Sequence, residues 1–482
     1  TFSAGPGVAS RPYDLDPIPH LVPPDAWAVL ESGLRQRAQL LDAVLQDLYG
    51  PRHLLRQGVL PADLLYRHRG YLQGLVGVGG MEQSLAFYGA DVVRRGDGSF
   101  AVLGDRTQAP AGVGLALETR IVTSRILPNL IRASHVHRLA SFFEHLRGAV
   151  VDLAPHQRLR PRIAVLAPGI SDPHYFDHAY LASYLGFPLL QAGDLTVREG
   201  RVWLRTIGGL KLLDVVLRRT GDHDSDALLI PAGETGVPGL GEAALRGEVA
   251  LANGLGVSIL EHPGLMPYLP QLARQVLGED LKLPSVETWW CGTAQGRQHV
   301  LANLEAMVIK PIDRSGQALW GGALSAEARD TLRRQIEADP ETFVGQPAAL
   351  EGTAATLVDG QLRPQAVLTR FFATRQGREF EVMTGGFTRV AGPRSGPLAL
   401  GSELRGLCKD TWVLADETER HLIRWPRAVP EVGPGAPEQL PSRVADNLYW
   451  VGRYAERAEG LARMARAVLR HARGVRDYGD PA

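Results

Sequence analysis

The chain has 482 residues and balances 52 Lys and Arg against 52 Asp and Glu, which gives no support for bulk attraction to nucleic acid or to an anionic membrane and leaves only local patches for such contacts. Hydrophobic residues make up 45% and are spread along the chain, enough for two or three domains with buried cores and against disorder as the dominant state. Cys291 and Cys408 are too few for a disulfide framework or a four-cysteine zinc site, and both are expected to be reduced and structural, as in a cytoplasmic protein.

After a leader with Pro and Gly, Trp27, Leu30, Leu34, Leu41, Val44 and Leu45 recur near helical spacing and predict a helix over 25–46. Asp47-Leu-Tyr-Gly-Pro51 stops it. Residues 85–103 read as two strands joined by a turn at Gly96-Asp-Gly98. Helices follow over 121–147. A run of alternating elements comes next, with strands at 163–167, 188–191, 202–204 and 212–217 and a helix at 174–185. Further on, 302–309 lead into Lys310-Pro311, 326–338 read as helix, and 343–346 as a strand. Residues 366–372 and 378–383 look like antiparallel strands. A Pro- and Gly-rich linker spans 428–435, and beyond it Ser442 is the expected N-cap of a helix running to about residue 473. No segment reaches the ~20 apolar residues of a membrane span. Residues 1–11 show neither the basic nor the apolar region of a signal peptide.

Several clusters invite chemistry. His174 and His178 lie i, i+4 with Asp177 between them, but the Glu of a His-Glu-x-x-His motif and a third ligand are missing, which favours capping and packing over metal. Asp222, Asp224 and Asp226 lack the Gly and distal Glu of a calcium loop and read as a solvated acidic loop. In the tail, Arg443, Asp446, Tyr449, Trp450, Arg453, Glu456 and Arg457 recur at i, i+3, i+4, a charge ladder beside an aromatic seam suited to helix packing.

Taken in order, several strings resemble a known family. They are Glu31-Ser-Gly-Leu-Arg-Gln-Arg37, Asp47-Leu-Tyr-Gly50, Asp91-Val-Val-Arg94, Ala167-Pro-Gly169, Tyr175-Phe-Asp-His178 and Gly193-Asp-Leu195. Asp214-Val-Val-Leu-Arg-Arg219, Gly236-Val-Pro-Gly-Leu240, Val308-Ile-Lys-Pro311, Gly385-Gly-Phe-Thr-Arg-Val-Ala391 and Lys409-Asp-Thr-Trp-Val413 complete the set. Together they resemble the circularly permuted ATP-grasp family related to glutathionylspermidine synthase. The tail, Pro441-Ser-Arg-Val-Ala-Asp-Asn-Leu-Tyr-Trp450 with Gly452-Arg-Tyr-Ala-Glu-Arg-Ala-Glu459, resembles the start of an alpha-E helical domain. The resemblance implies an α/β (α+β) fold of circularly permuted ATP-grasp architecture, with a helical N-terminal segment and the first helix of an all-helical C-terminal domain. Expected boundaries are 11–425 for the ATP-grasp domain, 426–440 for the linker and 441–482 for the truncated alpha-E start, with the rest of the alpha-E domain as partner.

Enzymes of this kind join a carboxylate to an amine through an acylphosphate, so the resemblance implies ATP with Mg²⁺ as cofactors and a peptide-like substrate, while the charge balance and the lack of an apolar span lead us to expect neither nucleic acid nor membrane as partner. Lys310 matches the hinge lysine that reaches phosphate, and Gln346 the hinge position that meets adenine. Arg218, Arg219, Arg370 and Arg389 are the catalytic candidates, with Lys409 and Arg314 as further cations for the nucleotide. Asp91 and Asp105 match metal-facing acidic strands. The positions flanking Asp105 carry an acidic residue and an Asn in the family and are Gly104 and Arg106 here, a departure that weakens any Mg²⁺ site. Arg106 is read either as a phosphate ligand replacing the metal charge or as a salt bridge to Asp91 or Asp105. A lysine expected near Glu261 is absent, and the loop Arg314-Ser-Gly-Gln-Ala-Leu-Trp320 is thin in glycine. Two functions stay in view: an ATP-dependent carboxylate–amine ligase, and a catalytically degenerate scaffold acting with its alpha-E domain.

Overall fold

The first long helix, Pro24–Tyr49, starts with Pro at its N-terminus and buries Trp27, Leu30, Leu34, Leu41, Val44, Leu45 and Leu48 on one face. It ends where Gly50 N–H closes back on the Gln46 carbonyl at 2.9 Å and Pro51 follows. The computed structural model describes residues 14–78, 84–155, 160–226, 236–313, 318–348, 352–391, 407–416 and 440–477, so the expected linker and Arg314 lie outside the described residues.

That helix covers one face of an eight-stranded sheet. The strand order is Leu15–Val22, Cys408–Val413, Phe387–Val390, Gln361–Gln376, Phe87–Arg94, Phe100–Arg106. Thr353–Val358 and Glu379–Val382 also pair with the sixteen-residue strand Gln361–Gln376. The first pair is parallel, and the remaining pairs are antiparallel. Because side chains alternate, Tyr88, Ala90, Phe371 and Ala373 join the core under the long helix, whereas Phe87, Phe372 and Phe387 join a second core. The second core also takes in Leu115 and Phe142 and Leu181, from the helices Val113–Ile126, Ala140–Asp152 and Tyr175–Leu185.

Beyond the second core lies a parallel sheet ordered Ala250–Ala252, Val215–Arg218, Ile163–Leu166, Leu189–Leu190. A small antiparallel sheet, Trp289–Trp290, Phe343–Pro347, Met307–Pro311, Leu319–Trp320, has its own core of Cys291, Val300, Ile309, Leu332 and Ile336.

Three local readings are corrected. The apolar run 212–217 is shared by two strands of different sheets, Gly209–Leu212 and Val215–Arg218, because buried Asp214 turns the chain and accepts from Arg162 N–H at 2.7 Å. The helical stretch 121–147 begins earlier and is broken into Val113–Ile126, Pro128–Ala133 and Ala140–Asp152, with Pro128 opening the middle piece. Ser442 lies inside the first turn of the helix Ser442–Asp477, since Ala445 N–H already bonds the Pro441 carbonyl at 3.1 Å. The seam on that helix stands open among the described residues, with Tyr449 and Trp450 and Tyr454 exposed. The helix is tied to the body by a fork in which Arg443 Nε and Nη2 reach Asp194 at 2.9 and 2.8 Å.

Candidate functional site

Strand register builds one wall of the site. Arg370 pairs with Asp91, Asp91 with Gly104, and Gly89 with Arg106, so these side chains share the face that holds the second core. Leu368 pairs with Arg389, which puts Arg389 on the same face. The result is one carboxylate surrounded by guanidinium groups. Arg370 grips Asp91 with Nε at 2.7 Å from Oδ1 and Nη2 at 3.1 Å from Oδ2. Arg106 approaches Oδ2 with Nη2 at 2.7 Å and Nε at 3.0 Å, and Arg389 Nη2 stands 3.8 Å from Oδ1. Burial alone would push the Asp91 carboxyl up, but Arg370, Arg106 and Arg389 together hold it well below the usual carboxylate range. The salt bridge read for Arg106 is formed, and it is made to Asp91 and not to Asp105.

Asp105 leaves the sheet on the opposite face, where it pairs in register with Ala90 beneath the long helix. There Arg37 forks onto it, Nε to Oδ1 and Nη2 to Oδ2, each at 2.8 Å, and Tyr88 Oη donates to Oδ1 at 2.6 Å. Asp91 and Asp105 therefore cannot share an ion. With their oxygens already held by arginines and a tyrosine, these two residues do not fit a Mg²⁺ site, which needs several free oxygen ligands. Among the described residues no group of three or more His, Cys, Asp or Glu could hold a metal.

Lys409 is also on that other face. It pairs with Thr388, which pairs with Thr369, one residue out of phase with Arg370. Its ammonium is fully buried and donates to Asp16 Oδ2 at 2.5 Å, Ala355 O at 2.7 Å and Ile18 O at 3.0 Å. Three donors meet three acceptors, so Lys409 locks the strand Leu15–Val22 into the sheet and stays apart from the other candidate cations.

Arg218 and Arg219 diverge by the same alternation. Arg218 is folded into structure, with Nη2 at 2.7 Å from both Gly254 O and Asp222 Oδ1, Nε at 3.1 Å from Asn253 O and Nη1 at 3.0 Å from Ser225 Oγ. Asp222 is thus an ion-pair partner, and Asp226 accepts from Gly239 and Gly241 N–H, so two of the three aspartates expected in a solvated loop are internal braces and Asp224 alone is exposed. Arg219 turns toward the arginine wall. Its Nη2 donates to Pro110 O at 2.7 Å and lies 3.4 Å from Asp177 Oδ2, and its Nε donates to His178 Nδ1 at 3.2 Å. Its Nη1 is buried without a hydrogen-bond partner in the described structure. Asp177 caps the helix Val113–Ile126 through Gly112 and Leu115 N–H at 2.9 and 3.0 Å, which is why that helix starts earlier than its periodicity suggests. The capping expected of Asp177 is present, though on a neighbouring helix. Burial and the Arg219 charge hold the His178 imidazole well below its ordinary value, so it is a neutral acceptor.

Between these walls opens a cleft of about 190 Å³, lined by Arg106, Arg219 and Arg370 with Asp172, His174 and Glu261 among its other residues. Glu261 Oε1 accepts from Thr107 and Gln108 N–H at 2.6 and 2.8 Å, and Asp172 Oδ1 from His174 N–H at 2.6 Å.

Lys310 and Gln346 stand on neighbouring strands of the small sheet, where Val308 pairs with Gln346. Lys310 Nζ donates to Gln346 Oε1 at 2.5 Å, and Gln346 Nε2 donates to Thr288 Oγ1 at 2.8 Å and reaches Leu103 O at 3.5 Å. Leu103 is on the strand that carries Arg106, about 10 Å further along at ~3.3 Å per residue. That strand joins the two groups of candidates. Arg37 was not singled out by sequence reasoning, although a cation at 37 within the stripe of Leu30, Leu34 and Leu41 signals a buried partner. Asn253, the first residue of the string Asn253-Gly-Leu-Gly256, binds Ala86 and Phe87 N–H at 2.8 and 2.7 Å and so ties the two sheets.

A family model described as circularly permuted ATP-grasp type 2 matches residues 19–391, and one for Alpha-E, a predicted alpha-helical domain with a conserved ER motif, matches 440–478. An uncharacterized protein of Mycobacterium tuberculosis is 41% identical over 459 residues, which cover 94% of this chain and 51% of that protein. The chain thus spans about half the length of that curated relative. An uncharacterized protein of Synechocystis is 33% identical over 415 residues, covering 85% of this chain and 86% of that protein. The apo structure of a glutathione synthetase-like effector from Globodera pallida superposes with a TM-score of 0.52 over 83% of this chain and 90% of that one, at 11% identity, a likeness of fold alone. On these matches the chain belongs to the circularly permuted ATP-grasp type 2 family and carries an Alpha-E segment after it.

Proposed function

We propose that this protein binds ATP across the strand Phe100–Arg106 and acts as an ATP-dependent ligase that joins a carboxylate to an amine on a peptide-like substrate. The observation that carries the reading is the Lys310–Gln346 pair, 2.5 Å apart, meeting the same strand whose far end bears Arg106 and lines the arginine cleft. Gln346 holds the Lys310 ammonium in place through its amide oxygen, and Lys310 would supply a cation for the phosphates nearest the nucleoside. In the ligase step a substrate carboxylate oxygen attacks the terminal phosphorus of ATP and ADP leaves. The amine nitrogen then attacks the acylphosphate carbonyl, loses a proton, and phosphate departs. Arg106, Arg219 and Arg370 would stabilise the charge that accumulates on the transferring phosphoryl oxygens.

The first test is calorimetric titration of the whole chain with ATP, with and without Mg²⁺, repeated on Lys310→Ala. Saturable binding that weakens at least roughly tenfold in the variant, as for a lost charged contact, supports the reading. Binding that ignores Lys310, or none, removes it.

A further inference from the structure

We propose that the cleft between Arg106, Arg219 and Arg370 is a phosphoryl-anion site built from guanidinium groups in the place of a protein-held divalent cation, so that pyrophosphate or a nucleoside triphosphate is held in its metal-free form. This rests on the nucleotide-binding reading above for the identity of the triphosphate, and on the cleft itself for the anion.

Four observations carry it. First, the oxygens of Asp91 already accept from Arg370 and Arg106, with Arg389 close by, so an arriving metal ion would meet three positive charges at that carboxylate. Second, Gly104 has no donor atom on the shared face, and Asp105 points the other way. Third, Arg219 is buried yet keeps Nη1 without a partner in the described structure, and it lines the cleft. A buried cationic N–H left without an acceptor is costly, so the Arg219 charge is only partly satisfied by the protein beside the cleft that an anion would enter. Fourth, the volume of about 190 Å³ exceeds several times the ~30 Å³ share of one water, which leaves room for a phosphoryl group.

Asp172 and Glu261 also line the cleft and would repel an anion. One oxygen of each is engaged by backbone N–H, Asp172 by His174 and Glu261 by Thr107 and Gln108, which lowers their pull on an incoming cation and their push on an anion. Against them stand the charges of Arg106, Arg219 and Arg370, of which Asp91 balances one, and guanidinium is the cation best suited to phosphate oxygens.

The test is calorimetric titration of the full chain with pyrophosphate and, separately, with ATP, each in EDTA and in excess Mg²⁺. The expected result is binding of both in EDTA, changed less than roughly threefold by Mg²⁺, and weakened roughly tenfold to a hundredfold in Arg106→Gln. Arg219→Gln should do the same. It also loses contacts to Pro110 and Asp177, so the partly exposed Arg106 is the variant that decides if Arg219→Gln fails to fold. ATP and pyrophosphate binding only in Mg²⁺ overturns the inference and leaves the nucleotide reading standing. Pyrophosphate binding without ATP binding keeps the anion site and removes the nucleotide reading. Failure of both ligands in both buffers, or unchanged affinity in Arg106→Gln, overturns the anion site.

Discussion

Asp105 pairs across the sheet with Ala90, the neighbour of Asp91, so the two carboxylates leave the sheet on opposite faces and each meets arginine. Asp91 is buried behind two of the arginines that line the cleft, Arg106 and Arg370, with Arg389 beside it, while Asp105 faces the long helix and Arg37. One residue of register separates a site wall from a structural brace.

Asp105→Asn is expected to act on stability and leave ligand binding alone. It breaks a buried fork to Arg37, whose side chain is fully buried, and stranding that cation costs about 3–5 kcal/mol. Urea unfolding should register the loss, with ATP and Mg²⁺ affinity unchanged. A stable variant with altered Mg²⁺ dependence would place Asp105 in the ligand site instead.

The two lysines should separate in the same way. Lys409→Met leaves Asp16 buried without its ammonium and is expected to cost about 3–5 kcal/mol, with ATP affinity preserved in whatever fraction folds. Lys310→Ala, at a half-buried position, is expected to leave stability within about 1 kcal/mol and to weaken ATP. Parallel unfolding and titration curves would expose a reversed pattern.

His178 makes stability depend on pH. Its folded form is neutral and its proton affinity is depressed by burial and by Arg219, so below about pH 6.5 the unfolded chain takes up a proton that the folded chain refuses. Stability is then lost as pH falls, at up to ~1.4 kcal/mol per pH unit from this group. Unfolding of the protein and of His178→Gln at pH 7.5, 6.5 and 5.5 checks this: the gap between them should narrow by about 1 kcal/mol on acidification. A constant gap would mean that the fold and the unfolded chain take up the His178 proton equally, and a widening gap that the fold favours the charged form.

Restoring metal-binding character should be possible at two positions. A Cβ at Gly104 would meet nothing within 4 Å, so Gly104→Glu has space beside Asp91, and Arg106→Asn removes the competing cation. The double variant is expected to gain Mg²⁺-dependent ATP binding, with affinity rising roughly tenfold on adding the ion. If Mg²⁺ leaves the double variant unaffected, Asp91 remains neutralised by Arg370 alone.

The order of motifs and the spacing of apolar residues determined much of this protein: its family, the long N-terminal helix, the hairpin at Gly96-Asp-Gly98 and the helix Ala326–Ala338 were all legible from local pattern. Which arginines converge was not. Arg218 and Arg219 are adjacent and chemically identical, Asp91 and Asp105 are alike in kind, and so are Lys310 and Lys409, each within its own string. Strand alternation sends neighbouring residues such as Arg218 and Arg219 to opposite faces, but only the pairing of Arg370 with Asp91 and of Leu368 with Arg389, made between segments far apart in the chain, decides which side chains meet beside the cleft. Long-range register is a tertiary quantity, fixed by burial of Phe87 and Phe372 against one set of helices and of Tyr88 and Phe371 against another, and no local spacing encodes it.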